Sequence, residues 1–167
     1  MPAGGQVGAI PAETRNAILQ DWLAQAAHTW PEQAALLDVR DPFHNPVGCA
    51  LREGLPELLD AVLADEWPEG AGAALERLVR IRAVQDFTAS QAVSFLLLLK
   101  PVLRARLAES RSRVEALEDR VDRLMLVAFD LFTGCREQAR QIQLDEARRR
   151  VYLGERVAAR GHGGTER

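Results

Sequence analysis

The sequence predicts an all-α fold, and three observations carry that prediction. Apolar residues recur at helical spacing along most of the chain, a helix-start box stands at Thr88-Ala89-Ser90-Gln91, and a stretch of about 40 residues from Ser112 runs without a proline. No strand-period alternation, dinucleotide-binding glycine motif or P-loop is present, which excludes the usual nucleotide-binding α/β architectures. No repeat of fixed period suggests a helical solenoid. The expected architecture is a bundle of about five helices with a long C-terminal one.

The first helix spans Glu13 to Ala27, where Ile18, Leu19, Trp22, Leu23 and Ala26 form one apolar stripe. The turn-rich stretch Asp41-Pro42-Phe43-His44-Asn45-Pro46 leads into a second helix. Asn45 can cap it, and Pro46 sits at its first position, where a missing N–H costs nothing. Its stripe is Val47, Leu51, Leu55, Leu58, Leu59 and Val62, and Pro56 predicts a kink or restart near Gly54, because it removes the bond to the Arg52 carbonyl. After the punctuation at Glu66-Trp67-Pro68-Glu69-Gly70, a third helix with Leu75, Leu78, Val79 and Val84 runs to about Asp86. In the fourth, Val93 and Phe95 to Leu99 make an apolar surface nearly all the way round, which suits a central helix, and Pro101 is expected to bend it.

The long last helix carries a heptad seam. With Val114 at position a, Val121, Ala128, Cys135 and Ile142 follow at a and Leu117, Leu124 and Leu131 at d, until Gln138 and Asp145 spoil the d row. Val114, Leu117, Val121, Leu124, Ala128, Leu131 and Cys135 are therefore the candidate dimer interface. Around Leu124 to Phe129 the helix is apolar on every side, so it must be covered by the other helices, by a second copy, or by both. The expected organisation is a flexible N-terminus over 1–12, one helical domain over 13–153 and a flexible tail over 154–167.

Composition sets the outer limits. With 167 residues, 47% apolar and 27% charged, the chain can bury a core without disulfide or metal staples. A formal charge of −3 with both signs interspersed gives no field that calls for nucleic acid or acidic lipid. The start lacks a basic n-region and apolar h-region, and Ala92 to Leu99 is too short to span a bilayer, so the expected location is the cytoplasm. Cys49 and Cys135 belong to no CxxC pair or Cys/His cluster and read as reduced, buried thiols.

The same residues argue against catalysis and against a resident cofactor. Haem needs an axial ligand on a helix facing an apolar pocket, whereas His28 ends the first helix, His44 lies in a turn between prolines and His162 is in the glycine tail. No metal-ligand spacing appears, and Ser90 stands in a helix-start box instead of a GxSxG elbow. The sequence thus predicts no enzyme, no metal and no cofactor. Asp130, between Phe129 and Leu131, and Asp122 are the polar residues set in apolar surroundings. They could face a pocket, or Asp130 could pair with Arg82 or Arg136, since buried carboxylates are normally paired. Arg77, Arg80 and Arg82 read as a solvated helix face, and Arg148 to Arg150 have the acidic neighbours Asp145 and Glu146, which argues against a basic stripe.

Three segments carry a resemblance: Asp41-Pro-Phe-His-Asn-Pro-Val-Gly48, Ile81-Arg-Ala-Val-Gln-Asp-Phe-Thr-Ala-Ser-Gln-Ala-Val93 with Lys100 after it, and Phe129-Asp-Leu-Phe-Thr-Gly-Cys-Arg-Glu137. Together they resemble the N-terminal sensor domain of RsbR-type stressosome co-antagonists, the RsbRD N-terminal family. The resemblance implies a globin-like fold without haem and dimerisation through helices that include a long C-terminal one. The second segment adds Gln85, Asp86 and Lys100 to Arg82, Asp122, Asp130 and Arg136 as candidate pocket or switch residues. In RsbR-type proteins a STAS domain that carries phosphorylated residues and binds the kinase partner follows. This sequence ends in a helix and a glycine tail, so the resemblance implies only signal reception, dimerisation and passing a conformational bias along the last helix. The expected function is a non-catalytic sensor or adaptor, a homodimer with a protein partner; the alternatives are an accessory subunit of a redox or metabolic complex and a haem-binding globin-type sensor.

Overall fold

The computed structural model describes residues 10–29, 45–64, 68, 70–85 and 87–161, with the side chains of Pro46 and of residues 154–161 left aside. The described residues form six helices: α1 (Ala12–Ala27), α2 (Pro46–Leu63), α3 (Ala71–Val84), α4 (Ala89–Leu97), α5 (Leu99–Arg106) and α6 (Arg111–Gly161). None of the described residues is in a strand. No described helix is long and apolar enough to cross a membrane.

Local chemistry explains the starts. The Asn45 side chain accepts from the Gly48 N–H at 2.7 Å, opening α2 with Pro46 in its first turn. A Cβ on Gly48 would fall 2.2 Å from Asn45 Nδ2, so the cap requires glycine there. At α4 the capping box forms reciprocally: Thr88 Oγ1 accepts from the Gln91 N–H and Gln91 Oε1 from the Thr88 N–H.

The two prolines inside helical stretches have different outcomes. α2 runs through Pro56 from Pro46 to Leu63 with no break near Gly54. Leu51, Leu55, Leu58, Leu59 and Val62 are all buried, and that apolar face holds the helix together across one missing hydrogen bond. The interruption expected at Pro101 falls instead at Leu98, between α4 and α5. A proline ring collides with the carbonyl four residues back, here Leu97, so the chain turns before Pro101, which then occupies the first turn of α5, where no N–H is needed.

One core joins every helix. α1 packs on α2, α4 and α5, α2 packs on α3, and α6 lies against α2, α3, α4 and α5. Trp22 of α1, fully buried, donates from Nε1 to the Phe95 carbonyl at 2.8 Å and so ties α1 to α4. Val84, assigned from sequence to the stripe of α3, is 73% exposed, because α3 ends there and the chain turns away.

α6 has 51 residues, about 76 Å at 1.5 Å per residue, and continues past Gly154 to Gly161 where the sequence suggested an earlier stop. Its inward side is buried down to Phe132, while from Glu137 to Leu153 nearly every residue is exposed. The first half is a core helix; the second half projects as a rod.

Candidate functional site

The polar residues singled out by sequence separate into two places. At the first, where α3 turns into α4, Arg82 is completely buried. Its Nη1 donates to the carbonyls of Gln91 (2.7 Å) and Ala92 (3.3 Å), its Nη2 to Thr29 Oγ1, and its guanidinium lies 5.2 Å from the Phe87 ring centroid and 4.8 Å from that of Phe95. Burial pushes its pKa down to about 9, still above neutrality, so the group is charged inside the fold. This corrects the reading of Arg77, Arg80 and Arg82 as one solvated face. Arg77 and Arg80 are exposed and pair with Glu57 and Glu76, whereas Arg82, on another side of the same helix, turns inward.

Arg136 belongs to the same end of α3. It donates from Nη1 to the Ala83 carbonyl at 3.3 Å, satisfying one of the orphan acceptors of the last turn. Sequence reasoning missed its counterpart: Arg120, sixteen residues earlier on α6, donates to the carbonyls of Val62 (3.0 Å) and Ala64 at the end of α2. α6 thus clamps the ends of two helices with two arginines, one on either flank of its inward side. Gln85 caps α3 beside them, and Asp86 lies outside the described residues.

The second place is the α5–α6 contact, where Lys100 Nζ and Asp122 Oδ1 form an ion pair at 2.6 Å. Lys100 is mostly buried and Asp122 about half exposed. Of the seven pocket or switch residues, the fold therefore brings together Lys100 with Asp122, and Arg82, Gln85 and Arg136 around the end of α3. It leaves Asp130 apart. Asp130 is exposed on the outward side of α6, so it neither faces an interior pocket nor pairs with Arg82 or Arg136. Phe129 is likewise 48% exposed, whereas Phe132 and Leu124 of the same helix are buried in the core.

The candidate dimer seam meets a sharper correction. Val114, Leu117, Val121, Leu124 and Ala128 are all buried in the chain's own core, and Leu131 and Cys135, half-buried, pack against it. A heptad row specifies that some apolar surface covers it, and here α2 to α5 supply that surface. What faces outward is largely another set, Leu126 (65% exposed), Val127, Phe129, Leu144, Val151 (62%), Tyr152 and Leu153, joined by Ile142 from the far end of the same row.

His28 is exposed at the end of α1, and His44 and His162 lie outside the described residues. Neither cysteine forms a disulfide, and both are half-buried. Among the described residues no three His, Cys, Asp or Glu side chains gather in a group that could hold a metal ion.

Compared with known proteins, residues 16–150 match the family model of the RsbT co-antagonist protein rsbRD N-terminal domain. No curated protein and no solved structure matches the chain.

Proposed function

We propose, from the premise that this chain belongs to the family of RsbT co-antagonist protein rsbRD N-terminal domains, that it is a non-catalytic regulatory module of stressosome-type signalling, acting in the cytoplasm through self-association and binding to other proteins. The observation that carries this reading is the match itself, which takes in α1 to α5 and most of α6. In this reading residues 13–153 act as one globin-like unit without haem. In support, the one described histidine is exposed, and the charged guanidinium of Arg82 occupies the space between Phe87 and Phe95.

The coupling is mechanical. α6 touches α2, α3, α4 and α5 and then leaves the body, so a ligand or partner that favours one packing of those helices biases the position of the projecting half. Arg120, Arg136 and the Lys100–Asp122 and Arg104–Glu118 pairs are polar contacts through which α6 feels the other helices. Copurification from the native host tests the reading. Recovery with stressosome proteins is expected; a stoichiometric metabolic or redox complex in their place overturns it in favour of an accessory subunit. Light scattering at micromolar concentration tests self-association, and a monomer removes that component.

A further inference from the structure

Two helices begin at one cleft. Pro11 and Thr14 bring the start of α1 to it, Ser110 and Arg113 bring the start of α6, and the loop between α5 and α6 lines the rest. The cleft has a volume of about 380 Å³, at the small end of the range that ligand sites occupy. The Pro11 carbonyl accepts from the Arg15 N–H at 3.0 Å and the Ser110 carbonyl from the Val114 N–H at 3.1 Å, the first bonds of the two helices. The N–H groups of residues 12–14 and 111–113 come before those bonds, so they have no acceptor within their helices. Each such end carries about half a positive charge.

The side chain of Arg113 points to a ligand. Its Nε and Nη2 are shut off from solvent and have no hydrogen-bond partner, which leaves Nη1 as the nitrogen open to the cleft. Its neighbours are paired: Arg111 with Glu115 at 2.9 Å, and Arg106, which also lines the cleft, with Asp21 at 2.7 Å. A cation in the first turn opposes the helix dipole, and taking part of it out of water without a partner adds to that cost. α6 has no acidic residue in its first turn to offset it, and Glu13, in the first turn of α1, is exposed and does not line the cleft. The fold therefore sets a poorly screened positive charge beside two positive helix ends, an arrangement that an anion completes.

We infer that this cleft binds a phosphate group, as inorganic phosphate or a small phosphomonoester, with Arg113 as its charged contact. A phosphate presents at least three acceptor oxygens and a carboxylate only two. The donors on offer are many and come from two directions: the N–H groups that open two helices, the hydroxyls of Thr14 and Ser110, and one guanidinium. Glu109 is the single carboxylate among the lining residues; it is exposed on the loop and weakens the field of Arg113 without pairing with it. An anion held here ties the first turn of α6 to the start of α1. The site stands whether or not the chain acts in stress signalling, since no partner protein contributes to it.

Titration calorimetry and thermal melting of the full chain test this, with inorganic phosphate and glycerol phosphate as probes and chloride at equal ionic strength as the reference. At a probe concentration tenfold above its Kd, the melting midpoint is expected to rise by roughly 3 to 6 °C. Phosphate also steadies proteins by exclusion from their surface, so the reading is the difference between the parent and Arg113→Met, which keeps an aliphatic stem and loses the charge. That variant is expected to melt in chloride at the parent's temperature or above it, and to show no heat of binding. Arg113→Lys, with the charge but not the planar fork, is expected to bind about tenfold more weakly. Equal stabilisation of the parent and Arg113→Met, or no heat with either probe, overturns the site. A lower midpoint for Arg113→Met in chloride also overturns it, because Arg113 then serves the free fold. Glu109→Gln is expected to tighten binding about two- to threefold by lifting a nearby negative charge; a loss of stability without tightening makes Glu109 the partner of Arg113 and overturns the proposal. Tighter binding of inorganic phosphate assigns the free ion and tighter binding of glycerol phosphate a phosphomonoester, and either result supports the site.

Discussion

Leu124 and Leu126 sit two residues apart on α6, yet one is 1% and the other 65% exposed. Truncating each to alanine separates what the helix does for its own chain from what it offers outside. Leu124→Ala removes three carbons from a packed site, about 2.4 kcal/mol at 0.8 kcal/mol per methylene, plus a cavity term that brings typical values to about 3 kcal/mol or more. Leu126 has only about a third of that surface to lose within the single chain, so its truncation costs roughly 0.5 to 1 kcal/mol there. Urea unfolding followed by helical circular dichroism and by tryptophan emission reads both. Run at two protein concentrations a hundredfold apart, it also separates chain stability from association, because a dimer's stability rises with concentration. Leu124→Ala should lower the midpoint at both concentrations and keep the concentration dependence; Leu126→Ala should shrink that dependence and change little at the low concentration. The reasoning is refuted if Leu126→Ala destabilises the dilute protein as much as Leu124→Ala, or if Leu124→Ala leaves the dilute protein intact and only dissociates a dimer.

Gly48→Ala drives a Cβ into the Asn45 side chain and breaks the α2 cap, at a cost of about 2 kcal/mol in urea unfolding; an unchanged midpoint contradicts the cap. Thr88→Ala removes one arm of the α4 capping box and costs about 1 kcal/mol in the same assay. Arg82→Lys keeps the charge but loses the planar fork that reaches two carbonyls and Thr29, at about 2 kcal/mol. Burial lowers the pKa of such an ammonium, so the unfolded chain binds more protons than the folded one over the window above neutrality. The stability of that variant therefore rises relative to the parent between about pH 7 and pH 9, while Arg82 stays charged in the folded parent until about pH 9. A parallel pH profile for the two proteins shows that position 82 is not in a desolvated site.

Most of what the residues announce by themselves is local. The Asn45–Pro46 start, the capping box at Thr88–Gln91, the apolar stripes of α1 and α2 and the long proline-free run of α6 were legible because each depends on neighbours within one or two turns. The break at Leu98 was legible in kind but not in place, since a proline acts on the carbonyl four residues before it. The two arginines that clamp α2 and α3 were not legible as such, because orphan carbonyls belong to helix ends brought near only by packing.

The chain's own order of amino acids determined that α6 has an apolar row from Val114 to Cys135 that something must cover. Only the packing of α2 to α5 decided that this row is covered from within, leaving Leu126 and the residues in line with it to face outward. The reason is physical: burial of apolar surface is non-directional, and a heptad row gains the same free energy from its own chain as from another. Periodicity along one helix therefore says that a side is buried, and the arrangement of the other helices says by what.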